Sequence, residues 1–213
     1  SFPTRRSSDL TEVVTPGISF NDNVLEHKNN NFLSSIFFEK GNFGITFLDV
    51  STGEFFVAQG NKDYCEKLLH TFNPSEIVIK KNKKEEFFNL FGDKFFVFTL
   101  EDWAYTLDFA YDKLLNHFNT SSLKGFGIDD LEYAIIAAGG ALHYLSETHL
   151  NKKNHIIKIS RIDKDEFVWM DQFTIRNLEL VSSHHSNAIT LFNILDNTSS
   201  PMGARLLKRW LLF

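Results

Sequence analysis

Four carboxylates are the residues of this chain whose type and position could support metal-dependent chemistry. Asp49 alternates with Ile45 and Phe47, so its side chain projects from one face at the end of a predicted strand. The acids available to join it are Glu54, Asp102 and Asp108. Two-metal hydrolysis of a phosphodiester needs several convergent carboxylates that hold ions about 4 Å apart. These residues define one hypothesis, a metal-dependent nuclease.

The competing interpretation of Asp49 is structural. Residues 51–53 (Ser-Thr-Gly) form a predicted turn, and an aspartate before such a turn accepts hydrogen bonds from its backbone N–H groups. No tight acidic motif accompanies Asp49 in the sequence. We therefore predict that Asp49 holds the turn. We also predict that the chain has no catalytic, cofactor-binding or metal-binding residues.

Histidine spacing does not favour a metal site. His143, His149 and His155 are six residues apart, and His184 and His185 are adjacent. Helical metal sites place two histidines four residues apart, on one face. We expect these side chains to be exposed or at the edge of the core.

The single cysteine, Cys65, excludes an internal disulfide and fits a reducing compartment. It shares one face of a predicted helix with Leu68, Leu69 and Phe72. This position predicts a buried structural thiol rather than a nucleophile.

Three cations, Arg205, Lys208 and Arg209, lie on a helix predicted to begin at Ser200-Pro201. They could contact phosphates or the acidic side chains of another part of the protein, and we favour the acidic side chains. The same helix carries an apolar stripe that must pack on something: Leu206, Leu207, Trp210 and Leu211.

Composition limits the function classes. The chain has 213 residues, of which 43% are hydrophobic, and a net charge of −5, so one or two soluble domains are expected. An acidic domain repels phosphates, which argues against non-specific nucleic-acid binding. No apolar run approaches the roughly 18 to 20 residues that cross a bilayer, so we predict no membrane partner and a cytoplasmic location. Many of the 23 Phe residues occur in pairs, and we predict that they fill the core.

Residues 1–10 (SFPTRRSSDL) stand apart from the rest of the sequence. They show no apolar periodicity and read letter for letter as the translation of a sequencing adapter. We interpret them as non-native and leave them out of the fold prediction.

The predicted elements follow a β-β-β-α-β-α-β-α order. Three strands form an antiparallel meander, and strands and helices then alternate up to a long helix that Asp129 caps. In order, the elements are strands 32–39, 43–50 and 54–58, helix 62–72, strand 76–79, helix 83–91, strand 94–99, helix 103–118 and a helix from Asp129 to about Thr148. This order predicts an α/β fold with a mixed sheet and helices on its faces, in a ribonuclease-H-like arrangement.

The pattern of predicted elements changes after residue 150. The polar break 151–154 precedes strand-like pieces at 155–162 and 166–171. A short helix follows near 173–181, then a polar stretch, the segment 190–195 and a final helix from Ser200. We therefore place a domain boundary near residue 150, with a mostly helical second domain.

Ten stretches along residues 11–211 together resemble the MutS family. Their order and spacing carry the resemblance more than any one of them does. They are 14–17 (VTPG), 44–55 (GITFLDVSTGEF), 73–77 (NPSEI), 125–127 (GFG), 137–139 (AAG), 170–171 (MD), Thr174, 176–180 (RNLEL), 194–198 (ILDNT) and 200–211 (SPMGARLLKRWL).

The resemblance implies a domain division. Residues 11–18 resemble the linker from a mismatch-recognition domain that is not in this chain. Residues 19–150 resemble the ribonuclease-H-like connector domain of the family. Residues 151–213 resemble the truncated start of its core, or lever, domain. In that domain Ile175 stands where a basic residue is common, which predicts that the position makes no essential polar contact.

The resemblance also implies a role. Family members are dimeric clamps that bind mispaired DNA and use ATP and Mg²⁺ to recruit MutL. The sequence has no G-x-x-x-x-G-K-[ST] phosphate loop, so we expect no enzyme activity and no cofactor in this fragment. Its expected partners are the remaining MutS domains and MutL. Mismatched DNA and a second subunit would be bound only by the whole protein of which this chain is a fragment. The nuclease stays the alternative.

Overall fold

The computed structural model describes residues 30–148, 155–162, 170, 172–183, 185 and 188–212. Six strands of the described residues form one mixed sheet: Phe32–Glu39 (β1), Asn42–Asp49 (β2), Glu54–Gly60 (β3), Glu76–Lys80 (β4), Val97–Leu100 (β5) and Ser160–Arg161 (β6). Their order in the sheet is β5-β4-β1-β2-β3-β6. β1, β2 and β3 are antiparallel neighbours, and the β1–β4, β4–β5 and β3–β6 pairs are parallel.

Helices cover both faces of the sheet, which confirms the predicted α/β architecture and its element order. The helices are Lys62–Phe72 (α1), Lys84–Phe91 (α2), Leu107–Phe118 (α3), Glu132–Thr148 (α4), Gln172–Asn177 (α5), Leu191–Leu195 (α6) and Pro201–Leu212 (α7).

Successive side chains of β1 point alternately into two separate cores on opposite faces of the sheet. Leu33 and Phe37 pack with α3 and α4 on one face of the sheet. Phe32, Ile36 and Phe38 pack with α1 and α2 on the other. Adjacent side chains of a strand point to opposite faces, so a strand covered on both faces is apolar throughout. Phe37 and Phe38 therefore fill the two cores, as predicted, whereas the prediction is wrong for Phe96 of the pair 95–96, which is 57% exposed.

Helix α4 is buried on nearly every side because it crosses the middle of the sheet and also packs on α3. Its inner residues, such as Ile135, Leu142 and Leu145, are buried. Gly139 and Gly140 lie where the helix packs closely on its neighbours. A Cβ at Gly139 would lie 2.4 Å from the Cβ of Ala110 in α3.

The start of α4 was predicted wrongly. The helix begins at Glu132, and Asp129 instead accepts a hydrogen bond from the Tyr111 hydroxyl at 3.2 Å. Gln59 at the end of β3 supplies the cap, because its Oε1 accepts from the backbone N–H groups of Tyr133 (2.9 Å) and Ala134 (3.3 Å). A partner 74 residues away thus satisfies N–H groups that the helix leaves open.

The predicted helix 103–118 is two elements. A 3-10 turn covers Asp102–Tyr105, Thr106 is extended, and α3 follows. The break buries Tyr105, whose hydroxyl lies 3.0 Å from the Ser35 Oγ on β1. The predicted strand 94–99 also begins later, at Val97.

Residues 155–162 lie at the β3 side of the six-stranded sheet. Only Ser160–Arg161 is a strand, shorter than predicted, and it extends the sheet beside β3. The Tyr64 hydroxyl donates to the Ile162 carbonyl at 3.2 Å. The Arg161 Nη1 forms an ion pair with Asp130 and lies 3.0 Å and 2.9 Å from its two carboxylate oxygens. The boundary near residue 150 stays a prediction, and the predicted strand 166–171 falls almost wholly outside the described residues.

Candidate functional site

The Asp49 carboxylate is buried and holds the β2–β3 turn. Its Oδ1 accepts from the Ser51 N–H (2.9 Å), the Ser51 hydroxyl (2.6 Å) and the Thr52 N–H (3.3 Å). Its Oδ2 accepts from the Asn30 amide at 2.7 Å and the Asn31 N–H at 3.3 Å. Five donors therefore occupy both oxygens, which confirms the structural interpretation of Asp49.

Of the other acids of the nuclease hypothesis, only Glu54 lies beside Asp49. Glu54 shares the Asn30 amide with it, at 2.7 Å. Asp102 instead accepts from the Asn82 amide, and Asp108 lies in the first turn of α3. Within the described ranges, no group of three or more His, Cys, Asp or Glu side chains could hold a metal ion. The geometry thus gives the nuclease hypothesis no support.

Two of the histidines that the sequence singled out have structural contacts. The ring of His143 packs between Trp103 and Phe109, at centroid distances of 4.8 Å and 5.4 Å. His155 Nε2 is hydrogen-bonded to the Val50 carbonyl beside the β2–β3 turn. His185 is exposed, whereas His149 and His184 lie outside the described residues. A histidine that the sequence did not single out, His117, reaches the Ile156 carbonyl at 2.9 Å.

Cys65 is fully buried among the apolar residues of α1, as predicted. Burial raises the pKa of its thiol to about 12. The thiol therefore stays protonated at neutral pH and lacks the thiolate that nucleophilic chemistry requires. Burial likewise raises the pKa of Tyr105 well above its ordinary value.

The basic helix α7 contacts the sheet through Arg209. Its Nη1 donates to the Glu54 Oε1 at 2.8 Å, and its guanidinium carbon lies 5.4 Å from the centre of the Phe56 ring. The prediction that this cationic face meets an acidic side chain is confirmed for Arg209. Arg205 and Lys208 line a cavity beside the same contact.

The apolar stripe of α7 is only partly exposed. Trp210 is 69% exposed and Leu206 is also open to solvent, whereas Leu207 and Leu211 are half-buried. The described residues therefore cover one part of the stripe and leave the other part open. Ile175, on α5, is buried, which fits the prediction that its position makes no essential polar contact.

An exposed aromatic patch in and beside the edge strand β5 escaped prediction from the sequence. It consists of Phe96 just before the strand, Phe98 within it and Trp103 in the following 3-10 turn, which are 57%, 42% and 54% exposed. Phe98 packs on Tyr144, and Trp103 packs on His143, the neighbouring residue of α4. The apolar run 95–98 was visible in the sequence, but nothing local shows which of its side chains are covered.

Among the described helices, none combines the length and the apolar character that a bilayer span requires.

Comparison with known proteins gives two family matches. The model described as MutS domain II matches residues 31–157, and the model described as MutS domain III matches residues 173–213. The first match alone covers more than half of the chain.

Individual relatives agree with these matches. The chain is 58% identical over 202 residues to the DNA mismatch repair protein MutS of Flavobacterium johnsoniae, and these residues make up 95% of this chain and 23% of the relative. It is 52% identical over 203 residues to that of Cytophaga hutchinsonii, with 95% and 24% covered. It is 50% identical over 204 residues to that of Bacteroides thetaiotaomicron, with 96% and 24% covered. The chain thus spans about a quarter of the length of these relatives.

Proposed function

The chain belongs to the MutS family of DNA mismatch repair proteins, and we propose that it is the non-catalytic joint between domains II and III of a longer protein. Its role is mechanical. It fixes the connector domain to the first helices of the core, so that a movement of one is passed to the other.

One contact carries this proposal, the ion pair between Arg209 and Glu54. Arg209 lies in the region that matches domain III, and Glu54 lies on β3 in the region that matches domain II. Both side chains are only about one-third exposed, at 34% and 30%, which reduces screening by solvent. The second oxygen of Glu54 is held by Asn30, so the carboxylate is fixed on both sides.

The activities of the whole protein follow from the family and are part of the proposal. The parent protein would form a dimeric clamp in the cytoplasm, bind mismatched DNA through other domains, and bind ATP in a domain that the two matches do not include. The fragment itself would not hydrolyse ATP.

We also propose that the connector presents a docking surface for MutL, and the aromatic patch of Phe96, Phe98 and Trp103 is the candidate. Exposed aromatic side chains that adjoin one another commonly mark protein interfaces. The patch lies in and beside an edge strand, and Phe98 and Trp103 pack on residues of α4, so a partner would meet a rigid surface.

A chimera tests the joint. Residues 31–212 of this chain would replace the matching quarter of the Flavobacterium johnsoniae relative, and repair would be measured as the mutation rate of a MutS-deficient strain. We expect the chimera to lower the mutation rate as the unaltered relative does. A chimera that is folded and binds mismatched DNA but leaves the rate high would contradict the proposal.

A binding assay tests the docking surface separately. Trp103→Ser with Phe98→Ser in the chimera should weaken MutL binding by at least about tenfold, as loss of central aromatic contacts does. Ile157→Ser is the matched control, because Ile157 is also apolar and 78% exposed but lies outside the patch. Equal MutL binding by the patch variant and the control would exclude this patch.

A further inference from the structure

The outer side of β5 presents backbone hydrogen-bonding groups. β5 is the last strand on its side of the described sheet, and its inner neighbour is β4. The Ile77 N–H donates to the Phe96 carbonyl at 2.8 Å, and Val97 lies opposite Ile77 in the parallel register. Because backbone groups alternate along a strand, Val97 and Thr99 direct their N–H and C=O groups away from β4. No described strand pairs with that outer side.

The sequence of this edge does not protect it from pairing. Residues 95–100 (FFVFTL) contain no proline, glycine or charged residue. Natural edge strands commonly carry such residues, because an open apolar edge pairs readily with another strand. The opposite edge of the described sheet differs, since β6 has only two residues and one of them is Arg161. β5 is therefore the edge that is built to accept a further strand.

The two faces of this edge are covered to different degrees. Phe95 and Val97 pack into the core that α1 and α2 cover. Phe98 lies on the other face, against Tyr144 of α4, and is 42% exposed. Phe96 precedes it by two residues, shares its face and is 57% exposed. A strand added beside β5 would cover these two rings.

We propose that β5 pairs antiparallel with β5 of a second copy of this chain, about a two-fold axis at Phe98. In this register Phe98 lies opposite Phe98 of the second copy, and Val97 lies opposite Thr99 of the second copy. Val97 and Thr99 both direct their backbone groups outward, so each exchanges hydrogen bonds with the other copy. Phe96 meets Leu100 of the second copy on the α4 face, and the two sheets become one.

The charges at the ends of this edge favour a second copy as the occupant. The exposed Lys94 precedes the apolar run, and Glu101 and Asp102 follow it. Antiparallel pairing about Phe98 therefore brings Lys94 of each copy beside Asp102 of the other. The contacts of Asp102 with Asn82 and Lys80 both use its Oδ2, so Oδ1 faces no printed competitor for the lysine.

Charge also selects the register. Moving the axis from Phe98 to Val97 would set Asp93 of one copy against Glu101 of the other. Like charges directly opposite each other destabilise an antiparallel pair, whereas opposite charges stabilise it. The axis at Phe98 is therefore favoured over the neighbouring one.

This pairing goes beyond the proposed joint and does not rest on it. It would cover Phe98, so a second copy and a MutL molecule on the proposed docking surface would exclude each other. The contact is short, and interfaces of small area are weak and transient. We therefore expect a reversible dimer that forms at high protein concentration.

Sedimentation equilibrium of the whole 213-residue chain measures the association. Thr99→Pro should weaken it at least about tenfold, because proline removes an outward N–H donor at two symmetric positions. Thr99→Val keeps that N–H and should keep the dimer. Circular dichroism of each variant verifies that the fold is retained.

A charge reversal tests the ends of the pairing. Lys94→Glu should weaken the dimer at least about threefold, because two attractive contacts become repulsive, and high salt should reduce the difference. Lys124→Glu is the matched control, since it makes the same change in net charge at an exposed position outside β5. It should leave the association unchanged.

Cross-linking tests the register and does not depend on the proline variant. Opposed residues at a position without ladder hydrogen bonds have Cα atoms about 4.5 Å apart, within the range that a disulfide spans. Phe98→Cys should therefore form a disulfide-linked dimer when diamide oxidises it. Phe96→Cys should not, because the two copies of that residue lie four positions apart, roughly 13 Å. The unaltered chain shows the background, since its single thiol, Cys65, is buried.

The outcomes separate this contact from others. Cross-linking at residue 98 together with a dimer that Thr99→Pro weakens supports the proposal. A chain that stays monomeric overturns it, even where MutL binds the aromatic patch. Faster cross-linking at residue 96 than at residue 98 overturns it as well. A dimer that Thr99→Pro keeps and Trp210→Ser abolishes would place the contact on α7 and would also overturn it.

Discussion

A Cβ atom added to Gly44 would lie 2.0 Å from the carbonyl carbon of Tyr133. The middle strand of the meander and the first turn of α4 are therefore in direct backbone contact. Neither backbone can move alone, because β2 is paired on both sides and α4 is buried on nearly every side. This contact sets how closely the long helix approaches the sheet.

Gly44→Ala is predicted to destabilise the fold by about 3 kcal/mol or more, because backbone atoms cannot yield as a side chain can. Urea unfolding followed by circular dichroism measures the change. Gly125→Ala is the control, since a Cβ there meets nothing within 4 Å, and it should stay within about 0.5 kcal/mol of the unaltered chain. Equal stability of the two variants would refute the close contact.

Asp49→Asn should lower the free energy of unfolding by about 1–3 kcal/mol. It should leave nuclease activity unchanged, because we expect none in either form. An amide cannot accept from all five donors that surround the carboxylate, so a buried polar group loses its partner. Asp93→Asn, at an exposed position, serves as the control. Mg²⁺-dependent cleavage of DNA or RNA that Asp49→Asn abolishes would restore the nuclease hypothesis.

The unfolding free energy should fall as pH rises from 9 toward 12. The unfolded chain loses the Cys65 proton near pH 9.0, whereas the folded chain keeps it until about pH 12. Since the folded-state pKa is the higher one, stability is complete below pH 9 and falls by up to about 1.4 kcal/mol per pH unit above it.

Urea unfolding at pH 8.5 and pH 9.8 measures this effect, with Cys65→Ala as the reference. The variant should lose less stability across the interval than the unaltered chain. The thiol should also resist Ellman's reagent until the chain unfolds. Rapid modification of the folded chain would show that Cys65 is accessible.

The pair of Arg209 and Glu54 should couple the two matched regions by about 1 kcal/mol, since both side chains are half-buried. A double-mutant cycle with Arg209→Leu and Glu54→Gln measures the coupling. The Lys81–Glu101 pair, with both side chains more than 60% exposed, should give a weaker coupling than the Arg209–Glu54 pair, because solvent screens it. High salt should reduce both values, and a coupling of zero for Arg209 would remove the main support for the joint.

The sequence by itself determined the order of the elements and much of the core. Alternating apolar residues marked β1 to β3, and the turn after Asp49 was identified with its hydrogen-bond acceptor. Helical spacing placed Cys65 correctly on the buried face of α1. These features depend on neighbours along the chain, so their signal is local.

Only the tertiary structure decided the features that join distant residues. Gln59 caps α4 from another strand, Gly44 meets a helix backbone, and α7 faces the sheet with Arg209. The exposure of Phe96 and Phe98 likewise depends on what lies beside β5. Periodicity shows that a helix or strand has two different faces, but long-range packing selects the neighbour of each face. A contact between residues far apart in the chain leaves no periodic trace in either segment.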